Sequence, residues 1–337
     1  MQAHAAVAVA PWKVEYLPVE APEPGDEDVV IRITHSWISN GTEGSFVRGE
    51  RIGGDTPRKE TDPLPFPHVP GYQKVGIVEG VGNAVTRFEP GDVVFATVSK
   101  VSGMFYSTGG HVSPAVTHQS QVWRLPDGLD PVAASGLVLT QVGYNVGIRP
   151  EVRPGDACVV IGDGMVGHWA AQTLQHRGAR VMLLGKHDDR LNLFRTREGD
   201  RTHNIAQGSV DAAIGEWAPQ GVQLAADTVG DIAFLESLYP AMRRFSHISS
   251  AGFYGLNGRI DIQKMRDREM TLHAPAGWTT DRMDATLDLL SQGSLETLPL
   301  ITHRLPVERA GEAFNTILSR RDNVLGVVLE WENGEMA

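Results

Sequence analysis

Short β-branched runs dominate the first 125 residues. Residues 29–33 (Val-Val-Ile-Arg-Ile), 75–81, 93–97 and 122–125 each fit a half-buried strand, with turn residues such as Glu89-Pro90-Gly91-Asp92 between them. The opening MQAHAAVAVAPWKVEYL reads as a first strand. Residues 44–66 follow no period and are rich in Gly, Pro and charge, as expected of a long surface or binding loop. From Pro131 the pattern changes. Helical spacing at 133–146, 166–177, near 232–243 and at 281–292 alternates with apolar runs at 157–161, 181–184, 224–227, 246–251 and 270–274. Strand alternating with helix predicts βαβ units and a parallel sheet. A helix over 307–318 and a strand over 324–331 close the chain.

The chain has 337 residues and a net charge of −11. That length accommodates two domains. An acidic chain without a basic run argues against nucleic acid and anionic membrane as partners. The N-terminal apolar run lacks a basic flank and is too short to span a bilayer, so the expected compartment is the cytoplasm. The single Cys158 excludes a disulfide framework and a Cys-rich zinc site, and its place inside an apolar run marks a buried structural thiol.

Gly162-Asp163-Gly164-Met165-Val166-Gly167 directly follows the apolar run 157–161 and opens a helical pattern. This is the strand–turn–helix setting a G-x-G-x-x-G needs in order to bind a dinucleotide pyrophosphate on backbone N–H groups. The second strand ends in Gly185-Lys186-His187, with Arg190 nearby. A carboxylate at this position normally accepts bonds from the ribose hydroxyls. Its absence, together with the basic residues, predicts NADP(H), although Asp188 and Asp189 lie three and four residues on. The loops beginning at Asp227 and at Gly252 follow parallel strands and are expected to line the nicotinamide half of the site.

Gly71, Gly76-Ile77-Val78-Glu79-Gly80-Val81-Gly82, Val85 and Gly91-Asp92-Val93-Val94, followed by Leu125-Pro126-Asp127-Gly128 and then the glycine turn, resemble the medium-chain dehydrogenase/reductase superfamily. The resemblance implies an α/β chain with a GroES-like β-rich catalytic domain (1–124 and 297–337) and a Rossmann domain (125–296). It also implies a homodimer or homotetramer through the Rossmann sheet edge, and a nicotinamide contact near Thr140. Zinc-dependent members resemble Gly-Ile-Cys-Gly-x-Asp followed later by Gly-His-Glu. Here those stretches read Trp37-Ile38-Ser39-Asn40-Gly41-Thr42-Glu43 and Gly71-Tyr72-Gln73. Ser39 stands at the Cys position and Tyr72 at the His position, and both are poor zinc ligands. The Ser39–Glu43 stretch is similar to a zinc-lacking subgroup of the bacteriochlorophyllide 3-hydroxyethyl dehydrogenase type, without transferring its pigment substrate.

Without a metal, hydrogen-bond donors must stabilise the charge that builds on a carbonyl oxygen, and a proton must follow. Tyr72 is the leading candidate, with Ser39, Thr42 and His68 as further donors and Glu43 as an orienting group. Met104, Phe105, Tyr106, Trp37 and Trp278 are candidate walls of an aromatic substrate pocket, and Arg48, Arg51, Arg58 and Lys59 candidate partners of an anionic substrate. The expected activity is zinc-independent, NADP(H)-dependent interconversion of a secondary alcohol and a ketone on a polyol, sugar or biosynthetic intermediate. Reduction of an activated C=C bond is the alternative. A third reading is an NADPH-binding protein without turnover.

Overall fold

The computed structural model describes residues 1–255, 258–319 and 324–331. Its chain forms two compact units, Met1–Val138 with the chain from Thr297 on, and Leu139–Glu296. The first crossing lies after Val138 rather than after 124. The short helix Pro131–Ala134, capped by Asp130, packs on the strands Lys74–Val81 and Val93–Ala96 and so stays with the first unit.

The first unit is β-rich. Its main sheet runs Val122–Arg124, Val93–Ala96, Lys74–Val81, Asp28–Ile38, Gly326–Glu330 and Ile301–Pro306, with Ala115–His118 also pairing Asp28–Ile38. The C-terminal strand is therefore the central partner of an N-terminal one, with Val328 opposite Trp37. The opening segment is a hairpin of two strands, Gln2–Ala10 and Lys13–Glu20, rather than one. Ile31, Ile33, Trp37, Phe95 and Phe314 are almost completely buried in this unit. Truncating such side chains typically costs about 2–5 kcal/mol. Trp37 is thus core, held between Gly136 and Gly326, and not a pocket wall.

Residues 44–66 are more ordered than their composition suggests. A helix spans Thr42–Val47, and a small hairpin pairs Arg51–Gly53 with Thr56–Pro57. The segment's own arginines hold it. Arg48 forks onto Glu50, buried Arg51 bonds the Ser45 hydroxyl at 2.6 Å and Asp55 at 2.7 Å, and Arg58 donates to the Gly49, Lys59 and Asp62 carbonyls. The three arginines are spent on the fold, which corrects the expectation that they serve an anionic substrate; Lys59 is exposed.

The second unit is a six-stranded, all-parallel sheet: Arg201–Asn204, Arg180–Gly185, Ala157–Ile161, Val222–Asp227, Met242–Ser250, Thr271–His273. In chain order this is 3-2-1-4-5-6, the doubly wound arrangement whose switch point lies between the first and fourth strands. Ala157–Ile161 is buried throughout, and Cys158 with it, its thiol pushed well up by burial. The edge strand Arg201–Asn204 has no apolar run and was invisible in the pattern. The helix expected near 232–243 is shorter, Ile232–Ser237, because Pro240 turns the chain into a 3₁₀ segment, Tyr239–Ala241. Among the described residues no helix is long and apolar enough to cross a membrane.

Candidate active site

In the first unit, the strand Asp28–Ile38 delivers Ser39 to the start of the helix Thr42–Val47. The Tyr72 phenol comes to the same place from the segment before the strand Lys74–Val81, and the Ser39 and Thr42 side chains hydrogen-bond it. Three hydroxyl groups thus converge where zinc-dependent relatives would carry a thiolate and an imidazole. Burial and the nearby Glu43 carboxylate push the phenol up to about 12, against the opposing pull of Ser39, Thr42 and Arg51. Tyr72 is therefore a neutral donor across the physiological range.

Glu43 lies directly beneath this cluster, fully buried. One carboxylate oxygen accepts the Ser39 N–H at 2.8 Å, and the other bonds His111 Nε2 at 2.8 Å. His111 in turn contacts the Ser36 hydroxyl at 2.8 Å. The sequence offers His111 only in a set with Glu43 and His68 whose spacing requires no site; the structure joins His111 to Glu43. Gln73 is buried and donates to the Trp37 carbonyl at 3.1 Å.

His68 does not join the cluster. Its ring is buried among Phe46, Phe66 and Tyr106, and Nδ1 donates to the Pro65 carbonyl at 2.6 Å. Burial holds its pKa below the ordinary value. This corrects its assignment as a catalytic donor. Tyr106 is tied to the Ile52 carbonyl at 2.8 Å and belongs to the same aromatic group.

The donor set does not fit a catalytic zinc. Zinc sites use thiolate, imidazole and carboxylate, whereas Ser39, Tyr72 and Gln73 offer neutral oxygens. The nearest carboxylate, Glu43, has both oxygens engaged. Among the described residues no three His, Cys, Asp or Glu side chains come together to hold a metal.

In the second unit, Gly162 takes φ +116°, and a Cβ on Gly167 would stand 1.9 Å from the Gly162 carbonyl oxygen. Strand and helix are therefore as close as a pyrophosphate turn requires. The helix Met165–His176 starts from an extended Gly164 with no side-chain cap, which leaves the N–H groups around Met165 and Val166 to bind phosphate oxygens. These residues fit a dinucleotide.

The ribose end differs from expectation. Gly185 does not leave a vacancy, because Asp163 fills the space. A Cβ on Gly185 would lie 2.5 Å from both the Cβ and Oδ2 of Asp163. Asp163 Oδ2 accepts the N–H groups of Lys186 (2.7 Å) and His187 (2.8 Å) and contacts His187 Nδ1 at 2.9 Å, while Oδ1 faces Arg190 at 3.7 Å. The carboxylate missing from the strand end is thus supplied by the glycine turn. Lys186 remains exposed at the edge of this group. Asp188 is occupied elsewhere, accepting from Asn204 and Gln207 at 2.7 Å each, which lowers its pKa.

Asp227 ends its strand at the switch point, but its carboxylate is spent locally. It accepts the Val229 and Gly230 N–H groups and the Tyr254 hydroxyl at 2.7 Å. It shapes the loop rather than presenting a free acid to ligand, a correction to its role as a direct cofactor contact. Gly252 lies against this turn, where a Cβ would meet the Gly230 nitrogen at 2.1 Å. Thr140 is fully buried in the helix Leu137–Ile148.

One unit with a doubly wound sheet and a phosphate-binding turn, and a β-rich unit carrying a hydroxyl cluster, are the parts of an oxidoreductase that uses a nicotinamide cofactor. Residues 25–127 match the alcohol dehydrogenase GroES-like domain. The 2-desacetyl-2-hydroxyethyl bacteriochlorophyllide A dehydrogenase of Cereibacter sphaeroides is 26% identical, over 98% of this chain and 99% of its own. The L-threonine 3-dehydrogenase of Saccharopolyspora erythraea is 26% identical over 92% and 93%. The crystal structure of 2R,3R-butanediol dehydrogenase from Bacillus subtilis superposes with a TM-score of 0.84 at 18% identity, covering 97% of this chain and 99% of that one. The GroES-like match and these dehydrogenase relatives support the medium-chain dehydrogenase/reductase superfamily for this chain.

Proposed function

We propose that this protein is a zinc-independent dehydrogenase that interconverts a secondary alcohol and a ketone on a polyol, sugar or biosynthetic intermediate, with NADP(H) as its cofactor. The observation that carries the reading is the Ser39–Thr42–Tyr72 hydroxyl cluster at the family's metal position. The names of the relatives, dehydrogenases of a hydroxyethyl group and of threonine, support a secondary alcohol.

A bound nicotinamide supplies the hydride chemistry. The chain's own residues hold the substrate oxygen. Tyr72, protonated up to about pH 12, donates to that oxygen and delivers the proton that accompanies reduction. The Ser39 and Thr42 hydroxyls orient the phenol and share the developing charge. Glu43 keeps the Ser39 backbone in place.

The test is turnover of a panel of secondary alcohols, ketones and enones after exhaustive chelation. Activity is expected to survive chelator dialysis unchanged. Loss with chelator and recovery with Zn²⁺ would overturn the metal-free reading. An enone yielding a saturated ketone instead of an allylic alcohol would move the assignment to C=C reduction. Dinucleotide binding without turnover on any of the panel would favour a binding protein.

The preference for NADP(H) is supported by Lys186, His187 and Arg190 around the ribose end. Asp163 favours the rival, NAD(H), since a carboxylate there can accept a ribose hydroxyl. Lys186→Ala and Arg190→Ala decide between them. With NADP(H) bound, each is expected to weaken NADPH by about tenfold and NADH much less, as read by nicotinamide fluorescence. Equal losses for both would assign the ribose end to Asp163 and NAD(H). We further propose a homo-oligomer paired along the edge strand Thr271–His273, where Leu272 is exposed.

A further inference from the structure

We propose that Glu43, clamped by His111 and by the Ser39 amide, is the positioning residue whose buried carboxylate opposes ionisation of the Tyr72 phenol. The inference rests on the reading of Tyr72 given above.

A set of buried hydrogen bonds beneath Tyr72 leads to the Glu43 carboxylate. Trp331 Nε1 can only donate, and it lies 2.9 Å from the Ser36 hydroxyl oxygen. The same hydroxyl contacts His111 Nδ1, 2.8 Å away. On the other side of the ring, His111 Nε2–H goes to Glu43 at 2.8 Å. The second Glu43 oxygen accepts the Ser39 N–H. Both oxygens of the Glu43 carboxylate therefore accept, one from the imidazole and one from the backbone, and this holds its charge in place. Trp331, Ser36, His111 and Glu43 are all buried, so water does not screen that charge.

The charge lies next to the phenol. Ser39, whose amide binds Glu43, also binds the phenol through its side chain, as does Thr42, the neighbour of Glu43 in the chain. His111 packs against the backbone leading into Tyr72, since a Cβ on Gly71 (φ +93°) would stand 2.7 Å from His111 Nε2. The charged groups facing Tyr72 are Glu43 from the helix Thr42–Val47 and Arg51 from the strand Arg51–Gly53. Arg51 is largely neutralised by Asp55 at 2.7 Å. Burial is the larger influence on the phenol, and the negative Glu43 adds to it by opposing phenolate formation.

A merely structural staple would hold the Ser39 loop and leave the phenol's ionisation alone. The two roles separate in an alkaline titration of tyrosinate absorbance on the full chain, which needs no substrate. The contribution of Tyr72 is taken as the difference from the matching Tyr72→Phe variant. Glu43→Gln removes the charge and retains an acceptor for the Ser39 N–H. It is expected to lower the Tyr72 step by about one pH unit or more, with NADPH binding retained as the sign of a folded protein. Glu43→Asp keeps the charge and is expected to leave the step high. A folded Glu43→Gln protein with an unmoved step overturns the proposal, as does a lowered step in Glu43→Asp. An enzyme inactive on every substrate would count against the reading of Tyr72 but not against this titration.

Discussion

Gly185→Ala is expected to weaken NADPH and NADH alike by about tenfold to a hundredfold. The added methyl has nowhere to go. It would stand 2.5 Å from the Asp163 side chain, whose own Cβ is one of the atoms struck. Rotating Asp163 does not relieve that contact, so the backbone of the Gly162–Gly167 turn must move. Overpacking of this kind costs about 1–3 kcal/mol. The moved atoms are those that bind the pyrophosphate, so that cost appears in affinity at about 1.4 kcal/mol per tenfold. Asp163→Gly in the same chain removes the obstacle, and binding is expected to return to within a few-fold of the Asp163→Gly single variant. The two substitutions should therefore couple strongly in a double-mutant cycle, as contacting residues do. Placing the acid at the strand end instead, Asp163→Gly with Gly185→Asp, is expected to favour NADH over NADPH. Fluorescence titration of the unsubstituted chain and the four variants reads all of this. Unperturbed binding by Gly185→Ala would mean that Asp163 does not occupy the space beside the strand end.

That pair also shows where the sequence stops being legible. Gly185 and Asp163 were each visible, one as a missing carboxylate and the other as a variable position in the glycine turn. Nothing in a linear pattern says that the second fills the gap left by the first, because their proximity arises only when the parallel strands Ala157–Ile161 and Arg180–Gly185 pair in register. The parallel strands with continuous apolar runs were readable for the opposite reason, since burial on both faces marks them in composition. The polar edge strand Arg201–Asn204 carries no such mark. The same division holds in the first unit. Ser39, Thr42 and Tyr72 could be named from their motif positions. His111 could not be placed beneath them, because it reaches Glu43 from 68 residues away by tertiary folding alone. His68 looked available between two prolines, yet three aromatic rings enclose it.

Tyr72→Phe is expected to lower kcat by about 10²–10³-fold while leaving dinucleotide affinity unchanged. The phenylalanine ring keeps the packing of this half-buried side chain and loses only the hydroxyl that Ser39 and Thr42 hold. A positioned proton donor typically contributes about 10²–10⁴-fold, and the remaining Ser39 and Thr42 hydroxyls retain part of the polarisation. The pH dependence follows from the direction of the shift. Burial and Glu43 raise the phenol to about 12, so the donating form is present throughout the neutral and mildly alkaline range. Ketone reduction should therefore show no alkaline loss attributable to this group below about pH 11. Alcohol oxidation needs the phenolate as acceptor, and its rate should climb with pH as that small fraction grows. Tyr72→Phe should remove the climb as well as most of the rate. Steady-state profiles in both directions, with substrates found by the panel, measure this. A variant that keeps both its rate and its alkaline slope would remove Tyr72 from the proton path and leave Ser39 and Thr42 as the groups that meet the substrate oxygen.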